Sequence, residues 1–561
     1  MTLETADTRI SATTSRAGGL GALRVAAVVI AAACLLPLLA VVAAAALGTT
    51  ETFAHLLDTV LWRYLATTAL LVVSVAIGVF LIGTGAGWLI AMTEFPGRRA
   101  VEVLLILPLA FPAYVLAYAY THILDHPGIV QTTLRDLTGW GPRDYWFPEV
   151  RSTGGAALML ILVLYPYVYL LARAAFLNQS AAPFIAARTL GRSAIGAFAA
   201  VSLPMARPAL AAGTLLAVME TIADFGTVSY FGVQTFATGI YASWFSMADR
   251  GAAAQLALCL LIFALVLVAL ERTTRGGARF DHGRSAVAHA RIHLRGRRAV
   301  LALALCAAPI VFGVILPVIA LAVMGMESEQ SLLSPRYLGF LWNTVILAGT
   351  AAALTVVAAI ALSYLGRLRP GPAAGGALSI GRLGYAVPGG VIAVGLLVPF
   401  AALDNAFDAF MEARFGIDTG LILTGTIAAL ILAYMIRFLA AALSAVESGL
   451  GGINANMDAA ARVLGDGPYR AFARVHLPIL APSVLTAALI VFVDVMKELP
   501  ATLIMRPFNF DTLAVQAHRL AADERLEGAA VPSLVIVAAG LIPVLLLSRR
   551  VGGIRKAGQR D

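Results

Sequence analysis

Near the start of the chain, residues 23–47 read LRVAAVVIAAACLLPLLAVVAAAAL, almost without a polar side chain. A run of that length is enough to cross the hydrocarbon of a bilayer as a helix, the structure that satisfies its own backbone donors and acceptors there. Comparable runs recur along the 561 residues, 60% of which are hydrophobic, with a mean hydropathy of +0.88. That leaves too little polar surface to cover a water-soluble fold, so a polytopic membrane protein is expected. The first 22 residues carry both charge signs, and the apolar run after them is too long for a signal peptide. They read as a cytoplasmic tail ahead of a retained first span.

Twelve spans fit, at 23–47, 64–92, 101–122, 154–177, 207–231, 251–270, 298–324, 342–364, 379–402, 419–446, 480–504 and 528–549. The expected class is therefore all-α, with both termini in the cytoplasm. In that orientation most Lys and Arg fall in cytoplasmic segments, the positive-inside pattern. It also accounts for the net charge of +9 without nucleic acid. Cys34, Cys259 and Cys306 lie within apolar runs, which argues for small buried side chains rather than disulfides or a zinc site. The basic linker at 271–297 sits at the midpoint and suggests a joint between two halves.

The halves carry matching marks. Thr68 and Pro112 are 44 residues apart, as are Thr344 and Pro388. Gly191 is followed 13 residues later by Pro204, and Gly465 13 residues later by Pro478. The offset between copies is 274–276 residues. Six spans per copy is an even number, so the copies share one orientation and form parallel repeats, 23–270 and 298–549, followed by a tail at 550–561.

Each repeat has one long cytoplasmic loop, 178–206 and 447–478. Both have an Ala-rich helical start, a Gly able to turn the chain, and a Leu-Pro before the next span. The segments IAARTLGRSAIGAFAAVSLP and AAARVLGDGPYRAFARVHLP resemble the EAA loop of ABC importer permeases: Glu-Ala-Ala, three residues, Gly, then nine residues to a hydrophobic-x-Leu-Pro. Ala187, Arg188, Gly191 and Pro204 match it in the first copy, and Ala461, Arg462, Gly465 and Pro478 in the second. Both depart at the leading Glu, which is Ile185 and Ala459. The resemblance implies a type I importer permease whose loops dock on a separate cytoplasmic ABC ATPase dimer. The chain itself has two lysines, Lys497 and Lys556, and no P-loop around either, so ATP and Mg belong to that partner and the chain is not expected to be an enzyme or to bind a cofactor.

The fifth and eleventh spans carry acids. From Pro204, Glu220 stands at +16 and Asp224 at +20; from Pro478, Asp494 stands at +16 and Glu498 at +20. The i,i+4 spacing predicts that each pair shares a helix face, and Gly226 and Pro500, at +22, predict a helix break just beyond. A rise of about 1.5 Å per residue puts the acids roughly 24–30 Å from the Pro, toward the outer side. Carboxylates facing lipid are costly, so the four are expected to line a central path as an oxygen-rich ring suited to a hard cation. Lys497, three residues after Asp494, breaks the symmetry of that ring and is positioned to pair with it.

METIADFGTVSYFGVQTFATGIYASW, VDVMKELPATLIMRPFNFDTLA and LPLAFPAYVLAYAY are similar to the fused permease of iron(III) ABC importers. That resemblance implies a periplasmic ferric-binding protein as donor, a location in the bacterial inner membrane, and alternating access driven by the ATPase. Thiamine and aminoalkylphosphonate permeases are relatives of the same build. The segment EFPGRR faintly echoes gradient-driven twelve-span transporters, the rival class. His122, Asp125 and His126 have a spacing that would suit an outer metal contact, whereas His289 and His293 lie in a basic linker that repels cations.

Overall fold

The structure is a computed structural model, described here for residues 14–48, 50–275, 291–331 and 334–557. His289, most of the linker and the first and last residues of the two tails lie outside the described residues. Among those described, eleven helices are long and apolar enough to cross a membrane, or twelve if a helix pair bent by 96° counts as one. The strands are a two-residue parallel bridge, Thr93–Glu94 with Ile292–His293, which ties the end of the linker to the loop after the Trp62–Met92 helix. Arg291 reinforces the bridge by donating to Glu94 at 3.0 Å.

The bent pair is the third expected span. Its helix ends in a turn at Leu107–Ala110, Phe111 is extended, and Ala113–Leu124 starts afresh after Pro112. Proline clashes with a helical residue before it and cannot donate, so the chain turns there. The second repeat does the same. Val387 is extended before Pro388, which separates Pro372–Leu383 and its terminal turn from Gly389–Phe415. The matched prolines therefore mark matched breaks within the spans expected at 101–122 and 379–402.

The chain divides into two compact units that cut across the sequence repeats. One contains the described residues up to Ala43, Thr344–Met496 and Met505–Phe508. In it the N-terminal Thr14–Leu47 helix lies against the second repeat, so closely that a Cβ on Gly395 would stand 2.3 Å from the Pro37 carbonyl oxygen. The other unit contains Ala44–Asn343, Lys497–Ile504 and the described residues from Asn509 onward. There the first helix of the second repeat meets the first repeat, with Gly313 against the Leu162 carbonyl. The last helix does likewise, with Gly540 against Ala110. Small residues at these crossings let helix backbones approach, which matters where water supplies no hydrophobic drive. The core of this second unit is built on Phe111, Tyr118, Tyr165, Tyr169 and Phe176, all at most 1% exposed.

Candidate functional site

The loops at 178–206 and 447–478 are built alike. In the first, Ala181–Thr189 is N-capped by Ser180 and ends at Gly191, whose φ of +89° is the left-handed conformation that glycine adopts without strain. The Arg192 amide reaches back to the Ala187 carbonyl at 3.1 Å. In the second, Ala455–Val463 ends at Gly465 with φ +84°, and the Asp466 amide reaches the Ala461 carbonyl at 3.0 Å. This six-to-one bond across a left-handed glycine is the Schellman cap. Ala187 and Ala461, which accept it, are buried. Arg188 is exposed and donates to the Arg192 carbonyl, whereas the side chain of Arg462 lies outside the described residues. What each loop presents outward is apolar: Leu190 is 85% exposed, and its counterpart Leu464 83%.

Pro204 and Pro478 do not start the next helices. The helix already begins at Ala194 in one repeat and at Pro468 in the other, and runs through a π turn at Phe198–Ser202 or Phe472–His476 into the span. Proline deletes one donor and crowds the preceding turn, and a wider turn absorbs both effects without a stop. In the second repeat Asp458 anchors the loop helix. Arg367 donates to it at 3.0 Å, and His476 on the π turn lies 2.5 Å from its other oxygen.

The acids are sorted differently from the sequence expectation. Leu203–Ala223 stops before Asp224, whose backbone is extended, so Glu220 and Asp224 do not share a helix face. The Asp224 carboxylate instead accepts from the Thr227 amide (3.1 Å), the Val228 amide (3.2 Å) and the Thr227 hydroxyl (3.0 Å). It caps the short Gly226–Tyr230 helix. Leu477–Met496 stops before Lys497, and Glu498 accepts from the Ala501 amide (2.9 Å), the Thr502 amide (3.0 Å) and the Thr502 hydroxyl (2.6 Å). It caps Pro500–Met505. The breaks thus fall at the second acids rather than beyond them. Gly226 and Pro500 open the following helices, where a proline is favoured because its missing amide would be unpaired anyway. A carboxylate at this position satisfies the amides that a new helix leaves exposed, which apolar surroundings would otherwise leave unmet.

The two breaks meet. A Cβ on Gly226 would lie 2.7 Å from a Tyr114 ring carbon and 3.0 Å from Leu499, so only glycine fits. The Tyr114 phenol lies within electrostatic reach of both capping carboxylates and donates to the Lys497 carbonyl at 3.4 Å. The Lys497 ammonium donates to the Leu109 carbonyl, also at 3.4 Å. Phe225, between Asp224 and Gly226, packs its ring 4.7 Å from Tyr241 and 5.8 Å from His518, which itself lies 3.3 Å from the Tyr118 hydroxyl. Neither His518 nor Tyr114 was singled out by the sequence. Their role comes from packing, and no spacing in the chain announces it.

Glu220 remains half-buried on the Leu203–Ala223 helix, and among the described residues it has no hydrogen-bond or ion-pair partner. Asp494 is half-buried on Leu477–Met496 in the other unit. Among the described residues no group of three or more His, Cys, Asp or Glu side chains is placed to hold a metal ion. Glu220, Asp224 and Glu498 are therefore not gathered into a static ligand set, and His122, Asp125 and His126 are not either. Asp125 is taken up by Arg151 (3.0 Å) and caps the His126 amide (2.8 Å). Arg151 also grips Glu524 with two bonds, at 2.6 and 2.8 Å, and lies 5.2 Å over the Tyr230 ring. Burial alone would raise Glu94 beside the linker bridge, but Arg98 and Arg291 hold it below the usual carboxylate range.

Comparison with known proteins places these features. Residues 83–273 match the family described as binding-protein-dependent transport system inner membrane component. Over 92% of its length the chain is 26% identical to the Fe(3+)-transport system permease protein FbpB 2 of Haemophilus influenzae, covering 95% of that protein. It is 27% identical, over 41% of its length and 82% of the relative, to the putative 2-aminoethylphosphonate transport system permease protein PhnU of Salmonella choleraesuis. It is 26% identical, over 33% of its length and 79% of the relative, to the molybdenum transport system permease protein ModB of Escherichia coli.

Proposed function

We propose that this chain is an ABC importer permease of the kind described as binding-protein-dependent transport system inner membrane component, and that it translocates ferric iron. The iron is delivered by a periplasmic binding protein and moved by alternating access coupled to a separate ATPase. The observation that carries the reading is the repeated unit of loop, π turn, helix and break. In each repeat a loop with exposed apolar residues at its tip is joined, through one continuous helix, to a break capped by an acid. A force on the loop, passed on across the capped turn at Gly191 or Gly465, would travel from Ala194 or Pro468 to the break along one continuous helix. That is what a subunit driven from the cytoplasm needs, and a gradient-driven transporter has no use for the paired loops.

Iron as cargo is supported by the similarity to a ferric permease over nearly the whole chain, and by Glu220, a carboxylate on the driven helix with no protein partner among the described residues. In this reading Glu220 and Asp494 touch the ion in passing, and Asp224 and Glu498 hold the breaks. The second reading, an aminoalkylphosphonate, is favoured by the relative of that description and would make the acids a barrier to an anionic cargo. Both termini would lie in the cytoplasm, with the linker on the same side as the loops. The test is labelled ferric uptake in a strain lacking the chain, complemented by wild type, Glu220→Gln and Asp494→Asn. Uptake restored by wild type and lost in the variants, with expression intact, supports the reading. Uptake of aminoethylphosphonate, and not of iron, would replace it with the second.

A further inference from the structure

A groove of about 830 Å³ opens between the Trp62–Met92, Leu203–Ala223 and Arg250–Arg275 helices. Its walls are apolar, with Val73, Ile77, Phe80, Leu215 and Leu267 among the lining. Thr214, whose buried hydroxyl has no partner among the described residues, lies along it. Two charged residues also line it, Arg207 and Glu271. Arg207 comes one turn after Pro204, at the end of the span nearest the coupling loop, and Glu271 closes the span Arg250–Glu271, next to the basic linker. Both therefore lie at the headgroup depth of the cytoplasmic leaflet.

Arg207 is exposed, and among the described residues it has no hydrogen-bond or ion-pair partner. A guanidinium at the edge of a bilayer is held by phosphate, which its planar fork meets with two bonds. The Glu271 carboxylate, with two oxygens, has acceptor capacity for more than one donor. We propose that the groove is a binding site for a phospholipid with an ethanolamine headgroup, its acyl chain along the apolar walls, its phosphate on Arg207 and its ammonium on Glu271. Phosphatidylglycerol offers no cation to Glu271, and the quaternary nitrogen of phosphatidylcholine offers no N–H. The paired charges thus select the aminophospholipid over both. The proposal does not depend on the cargo.

The test is native mass spectrometry of the full chain, delipidated in detergent and titrated with phosphatidylethanolamine, phosphatidylcholine and phosphatidylglycerol of matched acyl chains. One phosphatidylethanolamine should be retained per chain in preference to the other two. Arg207→Gln should weaken it about five-fold, the worth of one arginine at a headgroup surface. Glu271→Gln should leave phosphatidylglycerol binding unchanged and erase the preference. Ala76→Trp, which fills the groove, should abolish retention at an unchanged melting temperature, and Leu215→Phe serves the same purpose if that variant misfolds. Equal binding of all three lipids to wild type overturns the proposal. So does wild-type retention in Arg207→Gln.

Discussion

Replacing Asp224 by alanine separates the two jobs that an acid in this part of the chain can have. The substitution leaves the amides of Thr227 and Val228 and the hydroxyl of Thr227 facing a helix start without their acceptor. Loss of an N-cap costs roughly 0.5–2 kcal/mol, and each buried donor left unmet costs about 1–3 kcal/mol. Since the cap term already contains one of the three donors, two remain to be counted, and the total expected is about 2–8 kcal/mol. With an unfolding entropy of about 2.1 cal/mol/K per residue, a chain of this length unfolding as one would melt about 2–7 °C lower. Asp224→Asn keeps one acceptor oxygen and should lose less than half of that. Glu220→Gln, which disturbs no hydrogen bond or ion pair among the described residues, should melt with wild type. The assay is the melting temperature of the detergent-purified chain followed by size-exclusion fluorescence, with uptake measured on the same variants in cells. If Asp224→Ala melts with wild type while uptake is abolished, the cap is not what Asp224 contributes, and its place on the ion path must be reconsidered.

Four further outcomes follow from the same geometry. Leu190→Asp combined with Leu464→Asp should remove the ATPase from the purified complex without lowering the melting temperature, because both side chains are exposed. Co-purification unchanged would place the docking surface elsewhere. Gly191→Val with Gly465→Val forces a β-branched residue to positive φ at about 1–2 kcal/mol per site, and should cut uptake more than expression. His476→Ala removes the group that lies against Asp458 and should loosen the second loop alone, seen as faster amide exchange over Ala455–Val463 than over Ala181–Thr189. The hydrogen bonds from Arg151 hold the Glu524 carboxyl below its usual range. Its contribution is therefore complete above the unfolded value of about 4.3 and is lost as pH falls through the lower folded value. Melting curves of wild type and Glu524→Gln should differ at neutral pH and draw together as the pH falls below about 4.3; a gap that persists in strong acid would show that the bond is not what stabilises this corner.

Much of the chain was legible in its sequence because the features concerned are local or periodic. Apolar length placed the spans, and the prolines at 112 and 388 marked breaks, since ring sterics act on the neighbouring residue whatever surrounds it. The loop glycines were legible for a similar reason: a left-handed residue after an Ala-rich helix calls for glycine in any context. The acid pairs were legible as a repeat but not as a geometry. Spacing alone cannot distinguish a carboxylate on a helix from one that ends it. The clue was the threonine three or four residues after each second acid, a capping signature that the i,i+4 count overrode.

What the sequence by itself determined is the class of molecule, an all-helical membrane chain with two matching sets of marks, each with a glycine-turned loop, a proline-marked break and an acid pair. Those follow from hydrophobic length, backbone chirality and duplication. Only the tertiary structure decided that each repeat's first helix joins the other repeat's compact unit, that Asp224 and Glu498 spend their oxygens on amides while Glu220 does not, and that Gly226 must be bare because Tyr114 and Leu499 crowd it. The physical reason is that a donor, a clash or a helix crossing is a property of two places at once, and their separation along the chain says nothing about their distance in space.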